Sequence, residues 1–361
     1  MKLGLGLYRH LLTTENYRFA RQAGATHIVA HLVNYFADEP RLPAASSSGP
    51  GWGVSTNEGA LWTLDELVSL RLSIEAEGLQ LEAIENLDPA HWYDILLDGP
   101  RKAQQLEDVK TIIRRMGEAG IPALGYNFSI AGVWGHVTGP FARGGAESVG
   151  FWEDDLPEQS PIPNGQFWNM QYKADAEPGT IPPVTTEQLW GRLTEFLEAV
   201  VPVAEEAGVR LAAHPDDPPM PTIRGHARLV NQPHLFPRLL DTVPSHANAL
   251  EFCQGTISEM TEGNVYEAID RYSRQGNIAY VHFRNVRGKV PHYHEVFIDE
   301  GDVDMVRAIE IYHRNGFDGV MIPDHTPQMS CDAPWHAGMA FALGYMRAVI
   351  RMVTGEAPPT A

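Results

Sequence analysis

Short apolar stretches alternate along the chain with longer stretches of helical periodicity. Apolar runs bounded by glycine or polar residues are typical of buried parallel β-strands, and amphipathic stretches between them are typical of helices packed on one face. We predict a strand at each of eight such runs. The predicted strands are Leu3–Tyr8, His27–Leu32, Leu79–Glu85, Ala123–Phe128, Arg210–His214, Ala249–Cys253, Ile278–Phe283 and Gly319–Pro323.

Start and stop signals mark the helices between these strands. Thr63 and Glu66 form a capping-box pattern. An Ala-Gly pair precedes a predicted strand at Gly24, Gly120 and Gly208, as expected where a helix ends in an αβ loop. The predicted helices are Thr13–Ala23, Leu64–Glu77, Arg101–Ala119, Thr186–Ala207, Pro233–Thr242, Val265–Arg274, Val303–Asn315 and Trp335–Val353.

Eight strand–helix units without a break in composition predict a single (β/α)8 TIM barrel over residues 1–354. A doubly wound open sheet is the alternative, but such a sheet more often has a glycine-rich phosphate loop after its first strand. Gly4 and Gly6 lie inside the first predicted strand and do not form one.

Two segments interrupt the regular alternation of predicted strands and helices. Pro40–Asn57 is rich in Ser, Gly and Pro, and we predict a long loop after strand two. Residues 131–184 show no clear period and follow strand four, so we predict a long inserted loop over the carboxyl-terminal barrel face. The tail, residues 355–361, is predicted to be disordered.

Charge and cysteine content narrow the class of protein. The 361 residues include 27 Lys and Arg against 46 Asp and Glu, for a net charge of −19. Such an excess repels phosphate backbones and anionic lipids, so we expect neither a nucleic acid nor a membrane as partner. Two cysteines cannot form a disulfide framework. The short apolar amino terminus does not fit a signal peptide, so we expect a cytoplasmic protein.

Four successive predicted strands end in residues that bind transition metals. His214, Cys253, His282 and Asp324 follow or close strands five to eight. Because the carboxyl ends of barrel strands converge on one mouth, we expect these side chains to lie together. Imidazole, thiolate and carboxylate donors suit Mn, Fe, Co or Zn. A buried cysteine and isolated histidines are also common core residues, and only their coincidence at equivalent positions favours a metal site.

Further polar residues lie at the same end of the predicted barrel. Arg284 is a candidate carboxylate clamp, because a guanidinium group binds a carboxylate through two parallel hydrogen bonds. Tyr8 closes strand one and is a candidate proton-transfer residue. The candidate substrate-binding residues are Arg284, Glu85, Asn127, Arg9 and His294.

At these motifs the sequence resembles the mannonate dehydratase family, metal-dependent barrel enzymes of the xylose isomerase-like superfamily. The longest similar stretch is residues 201–219, VPVAEEAGVRLAAHPDDPP. Shorter ones are Arg21–Thr26, Trp62–Glu66, Tyr126–Phe128, Phe252–Cys253, His282–Val286, His294–Glu295 and Gly301–Met305. The resemblance implies that the four candidate ligands hold a Mn²⁺-type ion. It also implies that His325 lies at the reacting carbon as an acid or base, and that the enzyme is a homo-oligomer.

Two regions depart from the family pattern. The family's strand eight resembles Arg-Pro-Asp-His-Gly, whereas this chain has Ile322, Pro323, Asp324, His325 and Thr326. A family tyrosine further along aligns with His336. The four candidate metal ligands are therefore kept, while residues expected to contact substrate or transfer protons differ, at Ile322 and His336.

We therefore predict a metal-dependent lyase that dehydrates a sugar acid, D-mannonate or a related aldonate, to a 2-keto-3-deoxy acid. The reaction removes a proton next to a carboxylate, and a divalent ion, Mn²⁺ or alternatively Fe²⁺, Co²⁺ or Zn²⁺, supplies Lewis-acid stabilisation. His325 is the predicted acid or base, with His336 or Tyr8 as its opposite partner.

Two other functions stay open from the sequence. Without the strand-eight arginine, the chain is also a candidate metal-dependent isomerase, epimerase or β-eliminase that acts on a neutral or keto sugar. The altered shell equally allows a metal-stabilised sugar-binding or regulatory protein without activity.

Overall fold

In the computed structural model, eight parallel strands close into a barrel. The structure describes residues 1–35, 53–55, 59–155 and 161–356. Each strand pairs with its neighbours in sequence, and the first pairs with the last, so the predicted (β/α)8 barrel is confirmed. The strands are β1 Lys2–Leu7, β2 His27–Ala30, β3 Gln80–Glu85, β4 Ala123–Tyr126, β5 Arg210–Ala213, β6 Asn248–Cys253, β7 Ile278–His282 and β8 Val320–Ile322.

Eight helices follow the strands where the sequence predicts them. They are α1 Thr14–Gln22, α2 Leu64–Glu75, α3 Lys102–Glu118, α4 Thr186–Ala207, α5 Phe236–Thr242, α6 Val265–Arg274, α7 Met305–Arg314 and α8 Pro334–Thr354. The capping box predicted at Thr63 is present, and Thr185 starts α4 in the same way. The helix predicted from Pro233 instead begins with a 3₁₀ turn, Pro233–Leu235, before α5. Shorter helices are Arg9–Leu11, Pro89–His91, Tyr93–Leu97, Arg143–Gly145, Glu153–Asp155 and Gln254–Glu259.

The middle of the barrel is lined by small side chains. A separate buried cluster there contains Ala83, Ala123, Ala212, Ala249 and Ala279, together with Val29, Tyr280, Val320 and Ile322. Small residues leave room for large polar side chains that point inward. The hydroxyl of Tyr280 donates a hydrogen bond of 2.6 Å to Glu251, and both residues are fully buried. The barrel centre is therefore partly polar, and that polarity lies directly beneath the mouth.

Gly125 on β4 makes this polar centre possible. A Cβ atom there would lie 2.3 Å from the Tyr280 hydroxyl and 2.5 Å from Glu251 Oε2. We expect Gly125→Ala to destabilise the protein by about 1–3 kcal/mol, because overpacking of a filled interior costs that much. Denaturant unfolding measures this. The matched control is Gly191→Ala in α4, where a Cβ meets nothing within 4 Å and helix propensity favours alanine by about 0.5–1 kcal/mol. Equal stability of the two variants would contradict the prediction.

The long connection between β4 and α4 contains regular structure, which the prediction of a long loop missed. Its strands Val137–Ala142 and Ala146–Trp152 pair with a hairpin that follows β7, formed by Val286–Lys289 and His292–Glu295. We call this four-stranded antiparallel sheet the cap sheet. The strands His292–Glu295 and Ala146–Trp152 pair between residues 140 to 144 positions apart in the chain, so no local periodicity reveals this pairing.

Other short strands complete the structure. Gly53–Val54, Gln166–Phe167 and Met170–Gln171 form a small three-stranded sheet, and Thr222–Ile223 pairs with His226–Ala227. The loop predicted at Pro40–Asn57 lies largely outside the described residues, as do residues 357–361 of the predicted tail.

Candidate functional site

Three of the predicted ligands converge at the carboxyl ends of β5, β6 and β7. Cys253 and His282 are paired in register across β6 and β7, and His214 directly follows β5. One donor atom from each lies within 4.8 Å of the others. The sequence prediction that successive strand ends bring these side chains together is confirmed for this group.

Neighbouring groups orient the ring of His214 and favour the thiolate form of Cys253. His214 Nδ1 lies 2.6 Å from the carbonyl oxygen of Pro215. A histidine that donates one ring N–H to a carbonyl presents its other nitrogen to a metal. Burial raises the pKa of the Cys253 thiol, but the charges of Arg284 and His214 outweigh it and lower that pKa to about 6. Thr256 Oγ1 also donates to the sulfur at 3.1 Å. The site therefore favours the thiolate, which is the metal-binding form.

His282 provides the test of whether a metal ion fits the site. Its Nε2 lies 3.2 Å from Glu85 Oε2 and 3.0 Å from Glu251 Oε1. Its Nδ1 is buried and makes no hydrogen bond within the described part of the chain. Asp324 Oδ2 lies 3.5 Å away, too far for a well-formed hydrogen bond, and a buried polar atom that is poorly paired is costly. A cation at Nδ1 removes this cost, and the carboxylates at Nε2 form the support that metal-binding histidines normally have.

The same two carboxylates form a second donor group with His282, because their oxygens also lie within 4.8 Å of its ring nitrogen. Burial raises the pKa of Glu85, but the charges of His31 and His282 outweigh burial and lower this pKa. Burial and the charge of Glu85 raise the pKa of Glu251, whose second oxygen accepts the Tyr280 hydroxyl. Both residues are thus committed to positioning the ring of His282. Glu85, predicted to bind substrate, contacts the candidate ligand His282.

Asp324, the fourth predicted ligand, lies next to the three-donor group. Its Oδ2 is 3.5 Å from His282 Nδ1 and accepts a 2.8 Å hydrogen bond from Arg284 Nη1. Its φ of 64° is in the left-handed region, which non-glycine residues adopt uncommonly and in which aspartate and asparagine are enriched. Burial raises the pKa of Asp324, but the charges of His325, His282 and Arg284 outweigh burial and hold this pKa well below its usual range.

Arg284 is not the free carboxylate clamp that the sequence suggests. Only 3 % of the residue is exposed. Its guanidinium group already contacts four carboxylates at 2.8 to 3.1 Å, which are Asp217, Glu259, Glu295 and Asp324. The side chain neutralises buried acids of the protein itself. The expectation that it binds a substrate carboxylate is therefore corrected by its saturation with internal partners.

Two candidate proton-transfer residues lie beside the cluster. His325 Nδ1 is 2.9 Å from Glu295 Oε1, and its Nε2 is 3.4 Å from Asp324 Oδ1. The ring of Tyr8 stacks on His31 with centroids 4.6 Å apart. Burial, followed by the charges of Asp324 and Glu85, raises the pKa of Tyr8. The phenol therefore stays protonated and suits the role of an acid rather than a base.

The remaining predicted residues contact other parts of the molecule. The ring of His336 contacts Asn16 at 3.0 Å and packs against Phe19, both on α1. Arg9 donates to the Leu32 carbonyl. The contacts of His336 place the start of α8 beside α1, and they do not join His336 to the candidate ligands. As a proton partner, Tyr8 is therefore better placed than His336.

Asn127 and His294 also take supporting positions. The Asn127 amide donates to the Pro215 carbonyl at 3.1 Å, beside His214, and accepts from Trp168 Nε1. His294 stacks parallel to Trp152 on the cap sheet, with centroids 6.2 Å apart. Because successive strand residues face opposite sides, it is Glu295 that reaches His325. The expectation for His294 is thus wrong by one residue.

Sequence reasoning missed the buried acids around the ligands. Glu251 lies two residues before Cys253, so strand alternation places both on the same face of β6, and this signal was available. Asp217 follows β5, Glu259 ends the helix Gln254–Glu259 and Glu295 ends the strand His292–Glu295, and all three contact Arg284. No local spacing connects these three.

A closed parallel barrel with a His, Cys and His donor group at its mouth is the architecture of a TIM-barrel protein with a candidate metal site. Residues 19–354 match the D-mannonate dehydratase (UxuA) family. The chain is 31% identical over 278 residues to mannonate dehydratase 2 of Halalkalibacterium halodurans, covering 74% of this chain and 79% of that one. It is also 31% identical over 290 residues to the mannonate dehydratase of Thermotoga petrophila, covering 74% and 78%.

Solved structures agree in fold. The crystal structure of mannonate dehydratase from Streptococcus suis serotype 2 superposes with a TM-score of 0.75 at 24% identity, covering 99% of this chain and 95% of that one. D-Psicose 3-epimerase from Clostridium cellulolyticum H10, solved with D-tagatose, superposes with a TM-score of 0.58 at 12% identity, covering 97% and 99%. The chain belongs to the mannonate dehydratase family, which consists of metal-dependent hydro-lyases acting on a sugar acid.

Proposed function

We propose that this chain dehydrates D-mannonate or a related aldonate to a 2-keto-3-deoxy acid, and that His214, Cys253, His282 and Asp324 hold the divalent ion the reaction needs. The observation that carries the proposal is that donor atoms of His214, Cys253 and His282 lie within 4.8 Å of one another, with the pKa of the Cys253 thiol lowered to about 6. Mixed nitrogen, sulfur and oxygen donors favour Mn²⁺, Fe²⁺, Co²⁺ or Zn²⁺ over Mg²⁺ or Ca²⁺. Mn²⁺ is our first choice.

Two residues beside the candidate ligands have separate proton-transfer roles in such a dehydration. The bound ion supplies Lewis-acid stabilisation of negative charge on substrate oxygens. His325 presents Nε2 on the side of Asp324 and moves the proton at the carbon next to the carboxylate. Tyr8, kept protonated by burial and by the nearby acids, donates to the departing hydroxyl.

The test uses purified protein freed of metal and then reloaded with Mn²⁺. We expect loss of one water and formation of a 2-keto-3-deoxy acid from at least one member of a panel of hexonates and pentonates, followed by mass spectrometry. The metal-free protein should be inactive, and activity should return with Mn²⁺. Absence of product across the whole panel, with the metal shown to be bound, would overturn the proposed function.

One observation favours a second function, epimerisation or isomerisation of a neutral or keto sugar. Arg284 is saturated by internal carboxylates, and Ile322 is buried in the barrel wall against Gly4 and Gly6. A neutral sugar needs no cationic clamp. In the same experiment run in deuterium oxide, exchange into a ketose without a dehydrated product would support this second function.

The cellular setting of the reaction stays a prediction from the sequence. Among the residues that the structure describes, no helix is long and apolar enough to cross a membrane. We propose a homo-oligomeric enzyme in the cytoplasm with a small sugar acid as its partner and no role for nucleic acid.

A further inference from the structure

His325 is held from behind by a carboxylate that lies thirty residues away in the sequence. Both oxygens of Glu295 approach the ring Nδ1, at 2.9 and 3.2 Å. Glu295 itself is buried, whereas about a quarter of the His325 side chain remains exposed at the mouth. The carboxylate therefore contacts the inner edge of the ring.

With both oxygens of the Glu295 carboxylate this close, we assign the hydrogen of the ring to Nδ1. The other polar atom near Nδ1 is Arg284 Nη1, at 3.4 Å. A guanidinium group has no acceptor, so the hydrogen on Nδ1 has Glu295 as its partner. With Nδ1 engaged, Nε2 is the nitrogen left to face Asp324 Oδ1, 3.4 Å away. The pair thus has the arrangement in which a buried carboxylate orients a catalytic imidazole.

Glu295 is fixed in place by the cap sheet. It is the last residue of the strand His292–Glu295, where it pairs with Val286. Its carbonyl oxygen accepts a 2.7 Å hydrogen bond from Ser148, on the strand contributed by the β4–α4 connection. Its side chain is also bound by Arg284 at 3.1 Å. Two segments therefore hold the backbone of Glu295, and Arg284 holds its carboxylate.

We propose that Glu295 is the positioning residue for His325, and that the cap sheet serves the site by holding Glu295 behind that ring. This inference rests on the proposed function, because His325 is the residue that moves the proton there. Charge balance alone does not explain Glu295, since Arg284 already contacts Asp217, Glu259 and Asp324.

The kinetic test compares Glu295→Gln with Glu147→Gln, which makes the same change at an exposed residue of the cap sheet. We expect Glu295→Gln to lower kcat by about 10–100-fold, as loss of a supporting partner typically does. KM and the bound metal per chain should be unchanged, and Glu147→Gln should match the wild type. Unchanged kcat, a raised KM with normal kcat, or loss of the metal would each overturn the positioning role.

A second measurement does not depend on turnover. Crystal structures of the wild type, Glu295→Ala and Glu147→Gln compare the orientation of the His325 ring directly. We expect the ring to leave its position in Glu295→Ala and to keep it in Glu147→Gln. A ring that stays in place without Glu295 overturns the inference, whether or not the wild type dehydrates a sugar acid. A wild type that forms no product while its ring moves as expected overturns only the proposed function.

Discussion

Replacing Cys253 with alanine is expected to remove the metal ion from the barrel mouth and to abolish dehydration. Cys253 supplies the sulfur donor of the cluster, between His214 and His282. Changes in supporting residues alone typically lower metal affinity by about 10–100-fold, and loss of a direct ligand should exceed that. Elemental analysis of metal per chain after dialysis, together with the rate of product formation, measures both effects.

The second cysteine provides a matched control. Cys331 is exposed and lies outside the cluster, so Cys331→Ala should retain both metal and activity. Because Cys253 is fully buried, Cys253→Ser is a milder second variant that changes the donor with little change in volume. Stoichiometric metal in folded Cys253→Ala and Cys253→Ser proteins would show that the ion is bound elsewhere.

The fold and the convergence of the candidate ligands could be predicted because both depend on short-range patterns. Buried parallel strands are short apolar runs, and their order in a barrel follows their order in the chain. Once the barrel is assumed, the residue that ends each strand is placed at the mouth without further information. His214, Cys253 and His282 were found in this way, and their convergence depends only on strand register.

The surroundings of the ligands could not be predicted in the same way. Arg284 meets carboxylates from four different segments, and the sequence around it resembles that of a residue free to bind substrate. The cap sheet joins two connections that follow different barrel strands, so neither contains its own pairing partner. Contacts between loops depend on the three-dimensional arrangement of the mouth, which strand periodicity does not specify.

Arg284 links these unpredicted contacts to the chemistry of the site. It binds Asp324, approaches Glu295 behind His325, and its charge helps to lower the pKa of the Cys253 thiol. One buried cation therefore compensates the acids on which both the ligands and the proton-transfer residue depend. Its contacts with these buried acids explain the burial of Arg284 better than a role in substrate binding does.

Arg284→Met is accordingly expected to destabilise the metal-free protein by about 3–5 kcal/mol, because removing one partner leaves buried charges uncompensated. In the wild type, burial raises the pKa of Asp217, but the charge of Arg284 helps to hold this pKa well below its usual range. A carboxyl group with a depressed pKa stabilises the fold above its unfolded pKa, and this contribution is lost as the pH falls. The stability gap between wild type and variant should therefore be largest near neutrality and narrow below about pH 4.

Denaturant unfolding at several pH values, with a chelator present throughout, measures this gap. Arg18→Met is the matched control, because Arg18 is 60% exposed and pairs with Glu77 at the surface, where ion pairs contribute about 0–1 kcal/mol. Arg284→Lys retains a charge without the planar fork and should fall between the wild type and Arg284→Met, which keeps the test informative if the methionine variant does not fold. A deficit in Arg284→Met no larger than that of Arg18→Met, or one that grows as the pH falls, would mean that Arg284 does not compensate the buried acids.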